Sequence, residues 1–503
     1  MYKYFLSFLL GGITAFSLPP YNFVFINFIT FPIFFLVLIN SQKKNNSIWS
    51  NFLLGWLFGT GYFFSNIYWI VYALTFEENF KPLIPFALTI IPLFLGSFYG
   101  IATSALLKFK LDKNFSSILI FSLVFAITEF FRGFIFPWNL IVYSLTNLIN
   151  SLQILSFIGT YSLNLLSITF FLLPLLVIFK KTLASKILFA LFLVTILFSN
   201  HYYGVWKIKN DNQFYKELND VKIRIISPKI SIDRFFEAGN KDLVIEELIK
   251  LSNPDVSKNT IFVFPEGAFA GLNLEGLRYF KKIFLNYFSE NHTIIIGINT
   301  EKENKIYNSM VVLDNKLNLL SKYDKINLVP FGEFLPFEKL SKKFGLKKIT
   351  QGYQSFSPGT ERNSIYDINK NISFTPLICY EIIYSGKIKS NLNDNNFIIN
   401  ISEDGWFGNS IGPYQHFSHS IFRSIEEGKN IIRSSNNGIS AYIDSNGIVI
   451  ARLESTQRGV IEVNKYKKIN ETIFSKFGNK MFFYFILFYT ILFFLNYKKR
   501  RGA

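Results

Sequence analysis

The sequence predicts a membrane protein in which a bundle of eight transmembrane helices carries one large extracytoplasmic α/β domain. Half of the 503 residues are hydrophobic, 60 of them are Phe, and the mean hydropathy is +0.27, which is too apolar for an ordinary soluble protein. Apolar runs of helical length fill residues 1–200 and recur near the C-terminus. Residues 201–479 are instead charged, rich in Asn and divided into short strand-like runs.

Seven apolar runs within residues 1–200 are interpreted as membrane spans, because a helix of about 20 residues crosses the apolar core of a bilayer. The predicted spans are 4–18, 24–40, 52–74, 83–107, 116–136, 153–179 and 185–200, with an eighth at about 480–497. The first run follows Lys3 and resembles the start of a signal peptide. No small-residue cleavage site follows it, and Pro19-Pro20-Tyr21 is typical of a tight turn, so we expect an anchoring span.

The short loops between the predicted spans differ in charge. The loops after spans two, four and six carry lysines, whereas the alternate loops carry only Lys81, beside Glu77 and Glu78. The basic residues that set this pattern are Lys43, Lys44, Lys108, Lys110, Lys113, Lys180, Lys181 and Lys186, with Lys498, Lys499, Arg500 and Arg501 at the chain end. Loops rich in Lys and Arg stay in the cytoplasm, so both termini are predicted to be cytoplasmic and residues 201–479 to lie outside. This topology accounts for the net charge of +18 without nucleic acid as a partner.

The chain is therefore divided into seven spans in residues 1–200, an extracytoplasmic domain in residues 201–479, and an eighth span with a basic tail in residues 480–503. Strands of the middle part are predicted at 221–226, 261–264, 293–296, 310–313, 374–378, 397–401, 439–443 and 448–451. Amphipathic helices are predicted at 239–252, 273–288 and 414–429. Strands that alternate with helices predict one α/β or layered α+β domain.

Cys379 is the only cysteine, which excludes an internal disulfide. It follows the apolar run Phe374–Ile378, so the thiol is predicted at the end of a buried strand, where free backbone amides can assist a nucleophile. A single cysteine is more often a small buried hydrophobic residue without chemistry. Both interpretations stay open on this segment alone.

Two further segments place charged side chains at the end of a predicted strand or around a predicted turn. Glu266 follows the apolar run 261–264, and Lys325 and Glu333 flank a Pro-Phe-Gly turn. Taken singly, each has an ordinary explanation as a helix cap or a surface charge. Together with Cys379 they supply a base, a cation and a nucleophile, which are the groups that acyl transfer through a thioester requires. The base is needed because an ordinary cysteine, with a pKa of about 8.5, is mostly thiol at neutral pH.

The order and context of these residues resemble the carbon–nitrogen hydrolase (nitrilase) superfamily. The segments Lys325-Ile-Asn-Leu-Val-Pro-Phe-Gly-Glu333 and Ile378-Cys-Tyr-Glu381, which precede the last predicted span, resemble the apolipoprotein N-acyltransferase family in particular. The resemblance covers nearly the whole chain. Further similar segments are Glu129-Phe-Phe-Arg132-Gly133, Phe136-Pro-Trp138-Asn139, Gly159-Thr-Tyr161-Ser162, Trp406-Phe-Gly408, Gly412-Pro413, Gln415-His416, Arg423, Glu426, Gly428 and 433–438.

The resemblance implies a four-layer αββα sandwich joined to the membrane bundle, with no metal and no other cofactor. It implies that Glu266 is the general base, that Lys325 stabilises the tetrahedral intermediates, and that Cys379 is the nucleophile. The supporting residues that it implies are Glu333, Tyr380 and Glu381.

The implied reaction moves a fatty acyl chain from a membrane phospholipid to the α-amino group of the N-terminal S-diacylglyceryl cysteine of an apolipoprotein. This is the final step of bacterial lipoprotein maturation. The enzyme is expected to act as a monomer in the bacterial inner membrane, with its catalytic domain on the periplasmic side. Two alternatives remain: a membrane-tethered amidase that hydrolyses a small amide, and a non-catalytic transporter or scaffold whose outer domain binds a partner.

The chain departs from the usual pattern of this family in two loops. Glu403-Asp404-Gly405-Trp406 stands where the family usually has Asn-Asp or Asn-Asn before Ala-Trp, and Ser227-Pro228 stands where it tends to have Gln-x-Asn. Residues 334–358, rich in Phe, Lys and Gly, are either a mobile lid that admits acyl chains or an ordinary surface loop.

Several residues outside the predicted triad also carry hypotheses. Arg132 lies three residues after Glu129 inside a span, so it is predicted either to bind a lipid phosphate or to form a structural ion pair. Trp138 and Trp406 are further candidates for lipid contact. His416 and His419 have a spacing that a metal could use, but no third ligand is near in sequence, so packing or hydrogen bonding is predicted. These three hypotheses are secondary to the triad.

Overall fold

The structure, a computed structural model, describes residues 1–44, 47–179, 182–218, 220–235, 241–269, 271–336, 355–367, 370–388, 395 and 397–501. The chain forms two compact units. The first unit comprises Met1–Val71, Glu77–Asn210 and Thr472–Ala503, and the second comprises Tyr72–Phe76 and Asp211–Glu471. These bounds differ from the predicted ones at 200 and 480, because the last long helix of the N-terminal half continues to Asp211 and a short N-terminal segment belongs to the second unit.

Helices make up the regular structure of the first unit over its described residues. They are α1 Tyr2–Thr14, α2 Asn27–Lys44, α3 Ile48–Ile67, α4 Ile84–Ala105, α5 Phe115–Arg132, α6 Ile149–Leu152, α7 Leu155–Leu172, α8 Pro174–Phe179 and α9 Leu183–Asp211, followed near the C-terminus by Ile473–Phe477 and Lys480–Arg501.

Among the described residues, five apolar helical stretches are long enough to cross a membrane. They are Val24–Lys44, Glu78–Phe109, Phe115–Arg132, Leu155–Phe179 and Leu183–Phe214. The helix at the predicted first span has 13 residues, and the apolar part of the predicted eighth span is the shorter helix Lys480–Asn496. The first unit is therefore that of a membrane-anchored protein, and the number of eight spans remains a prediction.

Aromatic side chains fill the interior of this unit. Phe34 and Phe58 stack with 4.2 Å between ring centroids, and Phe121 and Phe125 stack at 4.3 Å. All four rings are buried. Most side chains of α9 are instead exposed although the helix is apolar, which is the pattern expected of a helix in contact with lipid.

Over its described residues, the second unit contains two six-stranded sheets and one two-stranded sheet. Its strands are β1 Tyr215–Glu217, β2 Val221–Ser227, β3 Asn259–Glu266, β4 His292–Lys302, β5 Lys305–Leu313, β6 Leu319–Asp324, β7 Ile365–Asp367, β8 Ile372–Ile378, β9 Phe397–Glu403, β10 Asn430–Asn436, β11 Ser440–Ile443, β12 Val449–Leu453, β13 Gly459–Val463 and β14 Lys465–Lys467. The first large sheet has the order β13–β2–β3–β4–β5–β6, the second has the order β12–β11–β10–β9–β8–β7, and β1 pairs with β14. The central strands β2–β3–β4 and β8–β9–β10 run parallel.

Helices cover the outer faces of the two large sheets. These helices are α10 Lys241–Ser252, α11 Leu274–Arg278, α12 Lys281–Tyr287 and α13 Gly412–Glu427. Side chains of α10, α11 and α12 pack in one apolar cluster with Phe262 and Phe264 of β3, while α13 contacts β10 and β11. Ile261 and Val263 alternate with those rings along β3 and are buried on its other face, where β3 meets β9 and β10. The layer order is therefore αββα.

Most predicted elements of the middle part are confirmed. Each of the eight predicted strands overlaps an observed one, and the predicted helices 239–252 and 414–429 overlap α10 and α13. The predicted helix 273–288 is two helices, because Phe280 leaves helical geometry between α11 and α12. Six strands were not predicted because they lack a clear hydrophobic pattern. Five of them are short or lie at sheet edges, namely β1, β6, β7, β13 and β14, and β10 is polar towards its end.

Candidate active site

The predicted catalytic side chains lie at the ends of strands in the two facing sheets. Glu266 is the last residue of β3, Lys325 directly follows β6, and Cys379 directly follows β8. Asn308 joins them from β5, where its carbonyl accepts a hydrogen bond from the Lys325 N–H at 2.9 Å. Pairing of the strands thus assembles residues that are far apart in the sequence.

Glu266, Asn308, Lys325 and Glu333 form one hydrogen-bonded cluster. Asn308 Nδ2 donates to Glu266 Oε1 and to Glu333 Oε1, each at 2.7 Å. Lys325 Nζ lies 3.0 Å from Glu333 Oε1 and 3.6 Å from Glu266 Oε1. The backbone N–H of Glu403 donates to the second oxygen of Glu266 at 3.0 Å. The two carboxylates are therefore held at fixed positions on the same ammonium group.

The close approach of the two sheets beside Glu266 depends on Gly297 of β4. A Cβ atom at Gly297 would lie 2.6 Å from the Glu266 Cα and 2.8 Å from the Ile401 Cδ1. Ile401 belongs to β9 of the facing sheet, so glycine leaves the room that this strand occupies. Glu266, at the end of β3, can then accept the hydrogen bond from the backbone N–H of Glu403, which lies two residues after Ile401 on β9.

Burial determines the electrostatics of this cluster. Burial raises the pKa of Glu266, the Lys325 ammonium opposes the shift, and the Glu333 carboxylate adds to it. Burial by itself lowers the pKa of Lys325, but the carboxylates of Glu333 and Glu266 outweigh it and raise that pKa above its ordinary value. Lys325 is therefore a permanent cation, and Glu266 has an increased affinity for a proton.

Cys379 lies in a strained turn. Its φ of 48° is in the left-handed region, which is uncommon for a residue with a Cβ atom. Burial raises the pKa of the Cys379 thiol well above its ordinary value; the Glu266 carboxylate raises it further and the Lys325 ammonium lowers it. The resting thiol therefore keeps its proton at neutral pH, so a base has to accept this proton when the sulfur attacks.

Glu381 connects the turn that bears Cys379 with the loop that bears Lys325. Its carboxylate is buried and accepts five hydrogen bonds. The donors are Ile378 N at 3.0 Å, Ile326 N at 3.0 Å, Asn327 N at 3.2 Å, the Tyr323 hydroxyl at 2.7 Å and the Arg362 guanidinium at 2.8 Å. One carboxylate thereby holds the turn that bears Cys379 beside the loop that bears Lys325.

A second network contacts the backbone of Cys379. His416 Nε2 lies 3.3 Å from the Cys379 carbonyl oxygen, and His416 Nδ1 lies 2.9 Å from an oxygen of Asp404. Arg433 donates to the other oxygen of Asp404 at 2.8 Å. Burial lowers the pKa of His416, which Asp404 opposes and Arg433 reinforces, so the imidazole is neutral. The predicted hydrogen-bonding role of His416 is confirmed.

The structure brings Glu266, Lys325, Cys379, Glu333 and Glu381 together, while their individual roles remain predictions. Tyr380 directly follows Cys379 and is buried. Its ring lies edge-on to that of Tyr384, with 5.5 Å between the ring centroids. Trp406 lies in the turn after β9, where its ring is edge-on against Phe76 at 5.7 Å.

Arg132 and Trp138, two of the residues predicted to contact lipid, lie inside the first unit. The Arg132 side chain is fully buried, donates to the carbonyls of Phe136 at 2.6 Å and Trp138 at 2.8 Å, and lies 3.6 Å from Glu129. These contacts favour the structural ion pair over the lipid phosphate. Trp138 is also buried and stacks on Phe136. Lipid contact of either residue stays a prediction.

Most of the predicted lid lies outside the described residues, since 337–354 are not among them. The described end of this segment reaches the cluster. The Phe356 N–H donates to the Glu333 carbonyl at 2.9 Å, and the Ser357 N–H donates to the Ile306 carbonyl at 2.8 Å. The lid therefore stays a prediction.

Sequence reasoning missed Asn308, Arg362 and Arg234. Asn308 had a signal, because it lies two residues before the apolar run 310–313, within β5, and a polar side chain at a buried strand position needs partners. The two arginines had none, because they lie in charged connecting segments where most basic residues are solvated.

Comparison with known proteins gives two family matches. Residues 10–173 match the apolipoprotein N-acyltransferase N-terminal domain, and residues 282–465 match the carbon–nitrogen hydrolase family. The second match includes Lys325 and Cys379, and the first covers most of the membrane-anchored unit.

Individual relatives extend over nearly the whole chain. The apolipoprotein N-acyltransferase of Allorhizobium ampelinum is 30% identical over 470 residues, which are 90% of this chain and 87% of that protein. That of Brucella melitensis is 29% identical over 475 residues, or 91% of this chain and 88% of that protein. Among solved structures, a CN-hydrolase superfamily protein from Xanthomonas campestris is similar with a TM-score of 0.35 and 14% identity, over 48% of this chain and 89% of that one.

These relatives are bacterial, and five helices in the described part of this chain are apolar and long enough for a membrane. Together the two findings indicate a bacterial membrane protein. The amidase alternative is less supported than acyl transfer, since the similarity includes the membrane-anchored part. The chain belongs to the apolipoprotein N-acyltransferase family and is an acyltransferase of the carbon–nitrogen hydrolase superfamily.

Proposed function

We propose that the chain moves a fatty acyl group from a membrane phospholipid, through a thioester on Cys379, to the α-amino group of the N-terminal S-diacylglyceryl cysteine of an apolipoprotein. The observation that carries the proposal is the cluster of Glu266 and Lys325 beside this thiol, in a chain that also has apolar helices of membrane-spanning length. Both substrates are lipids, so an enzyme anchored in the membrane can reach them.

In the first half-reaction, the Cys379 sulfur attacks the ester carbonyl carbon of the phospholipid while Glu266 accepts the thiol proton. The negative charge that develops on the carbonyl oxygen is stabilised by the Lys325 ammonium. The carbon–oxygen bond then breaks, Glu266 returns the proton to the leaving oxygen, and a lysophospholipid departs. The acyl group remains on the sulfur as a thioester.

In the second half-reaction, the α-amino group of the apolipoprotein attacks the thioester carbonyl. Glu266 accepts a proton from the attacking nitrogen, and Lys325 again stabilises the oxyanion. The carbon–sulfur bond breaks, and the proton returns to Cys379, which regenerates the resting thiol. The product carries an amide in place of the free amine.

We also place the second unit on the periplasmic side of the bacterial inner membrane, with eight spans in all. The lysine-rich loops that alternate with lysine-poor ones support this orientation. We further propose that the enzyme acts as a monomer, since one chain supplies the thiol, the base and the cation.

The proposal is tested with detergent-solubilised protein and a phospholipid that carries a radiolabelled acyl chain. We expect label on the enzyme that neutral hydroxylamine releases, because hydroxylamine cleaves thioesters. A diacylglyceryl peptide with a free N-terminal amine should then remove the label from the enzyme and acquire it. The same lipid labelled in its headgroup is the control and should label nothing.

Cys379→Ser is the matched variant, because serine is nearly isosteric and should leave the fold intact. We expect it to lose hydroxylamine-sensitive labelling and peptide acylation. Labelling of the variant at the parent rate would refute Cys379 as the nucleophile. An amidase would instead release acid from a small amide and take no label from phospholipid, and a scaffold would do neither.

A further inference from the structure

Arg234 contacts two residues that adjoin Glu266, the backbone carbonyl of Gly267 and the side chain of Glu403. It lies in the 3₁₀ turn Ile232–Phe235, and its Nε and NH2 atoms donate to the carbonyl of Gly267 at 3.3 and 3.1 Å. Its NH2 group also donates to Glu403. Gly267 directly follows Glu266, and the Glu403 N–H donates to Glu266 Oε2 at 3.0 Å. The Arg234 guanidinium therefore connects Gly267, which follows Glu266 in the chain, with Glu403, whose backbone N–H donates to the Glu266 carboxylate.

The partner carboxylate of Glu403 is deeply buried, with 1% of its side chain exposed against 10% for Arg234. It accepts further hydrogen bonds from the Gly405 N–H at 2.9 Å and from Asn436 Nδ2 at 2.7 Å. A buried carboxylate that loses its cation leaves an uncompensated charge, which is strongly unfavourable. Arg234 therefore compensates the buried negative charge of Glu403.

Gly405 makes room for this arrangement. A Cβ atom there would lie 2.7 Å from Glu403 Oε1 and 3.1 Å from Asn437 Nδ2. Alanine would therefore displace the glutamate carboxylate from the place where Arg234 binds it. Glu403 and Gly405 are both among the positions where this chain departs from its family's usual residues, and the structure joins the two departures in one contact.

We propose that Arg234, Glu403 and Gly405 form a clamp that positions the general base Glu266 and keeps its surroundings electrically neutral. The clamp residues are positioning residues, since they act on the reaction through Glu266. The proposal rests on the proposed role of Glu266 as base.

The clamp adds one negative and one positive charge to a site that already holds several. The charged groups that face Glu266 are Lys325, Glu333 and the Arg234–Glu403 pair. Those that face Cys379 are Glu266, Lys325 and Asp404, and Asp404 is itself bonded to His416 and Arg433. Loss of Arg234 alone makes the site more negative, which raises the pKa of Glu266 and of Cys379. Loss of Glu403 alone has the opposite effect, and loss of both leaves the net charge unchanged.

The test measures how fast iodoacetamide alkylates Cys379 as a function of pH, in the full-length protein in detergent. This reagent reads the thiol and its base without any lipid, so its result is independent of the acyl donor. For Arg234→Gln we expect the midpoint of the pH profile to rise by about one unit and the rate at neutral pH to fall about tenfold. For Glu403→Gln the midpoint should fall, and the double variant should return close to the parent.

Arg224→Gln is the matched control, because Arg224 forms a similar pair with Glu462 at 3.1 Å on β2 and β13. Its midpoint should equal that of the parent. The clamp is overturned if the midpoint of the pH profile of Arg234→Gln stays at the parent value, whether or not the variant is less stable to heat. If Arg234→Gln does not fold, Gly405→Ala carries the test. Because alanine displaces the Glu403 carboxylate, its midpoint should fall as that of Glu403→Gln does, and adding Glu403→Gln to Gly405→Ala should lower it no further. An unshifted Gly405→Ala would likewise overturn the clamp.

These outcomes separate the clamp from the proposed function. Shifted midpoints without any labelling from phospholipid would keep the clamp and reject the lipid donor. Labelling from phospholipid with unshifted midpoints would keep the acyltransferase and reject the clamp.

Discussion

Glu266, Glu333 and Lys325 place two negative charges and one positive charge in a space with almost no solvent contact. Asn308 donates one hydrogen bond to each carboxylate and so holds them beside the ammonium without adding charge. Because the carboxylates raise the pKa of Lys325, its ammonium persists across the physiological pH range. At the residue scale, the cluster holds a permanent positive charge in place, which is what the proposed stabilisation of an oxyanion requires.

Replacement of Lys325 by Met tests this electrostatic role. Met keeps much of the length of the side chain but removes the charge, so we expect acylation of Cys379 to slow by about 10²–10³-fold. Lys325→Arg should restore little of the rate, because a planar guanidinium does not occupy the place of a compact ammonium. The measurement is the rate of thioester formation, with thermal unfolding recorded for each variant.

Lys322→Met is the matched control, since Lys322 lies on β6, the strand that directly precedes Lys325, and pairs with Asp324 at 2.9 Å. We expect less than about a twofold change for it, as is usual for a surface pair. A Lys325→Met protein with parent stability and a parent rate would remove Lys325 from the catalytic group.

At the scale of elements, the site depends on how two turns are joined across the facing sheets. The turn after β8 carries the thiol, and the loop after β6 carries the cation. Glu381 supplies that connection by accepting hydrogen bonds from backbone amides of both segments.

Glu381→Gln should loosen this connection. Glutamine offers one acceptor oxygen, and its NH2 group faces amide donors that then have no acceptor, which typically costs about 1–3 kcal/mol for a buried group. We expect a lower unfolding temperature and at least about a tenfold slower acylation of Cys379, because a displaced reacting group is penalised strongly. The measurements are thermal unfolding and the rate of thioester formation.

Glu275→Gln provides the comparison, because Glu275 is exposed and pairs only locally with Arg278. It should behave like the parent in both measurements. If Glu381→Gln matched Glu275→Gln in rate and in stability, Glu381 would not be the connection between the turns.

For the whole molecule, the distribution of charge predicts which side of the membrane each part occupies. A reporter that is active only in the exported compartment should be active when fused after Asn210 and inactive when fused after Lys44. The reason is that lysine-rich loops are retained in the cytoplasm. Enzyme activity of the reporter, corrected for the amount of fusion protein, is the measurement, and the reverse pattern would overturn the periplasmic placement.

The sequence by itself determined the two-part organisation, the strands that precede Glu266 and Cys379, and the family. Apolar runs, strand patterns and short motifs are properties of neighbouring residues, so they can be read without knowledge of the fold. The lysine and the thiol could be proposed as partners from their contexts, because each segment has a recognisable motif of its own.

Only the tertiary structure decided which distant side chains meet. The bridge of Asn308 between two carboxylates, the connection through Glu381 to Arg362, and the contact of Arg234 with Glu403 all join residues from different strands or loops. Such contacts depend on the order of the strands and on the approach of the two sheets, which the pattern of neighbouring residues does not specify. The chemistry could therefore be predicted from motifs, while its positioning required the fold.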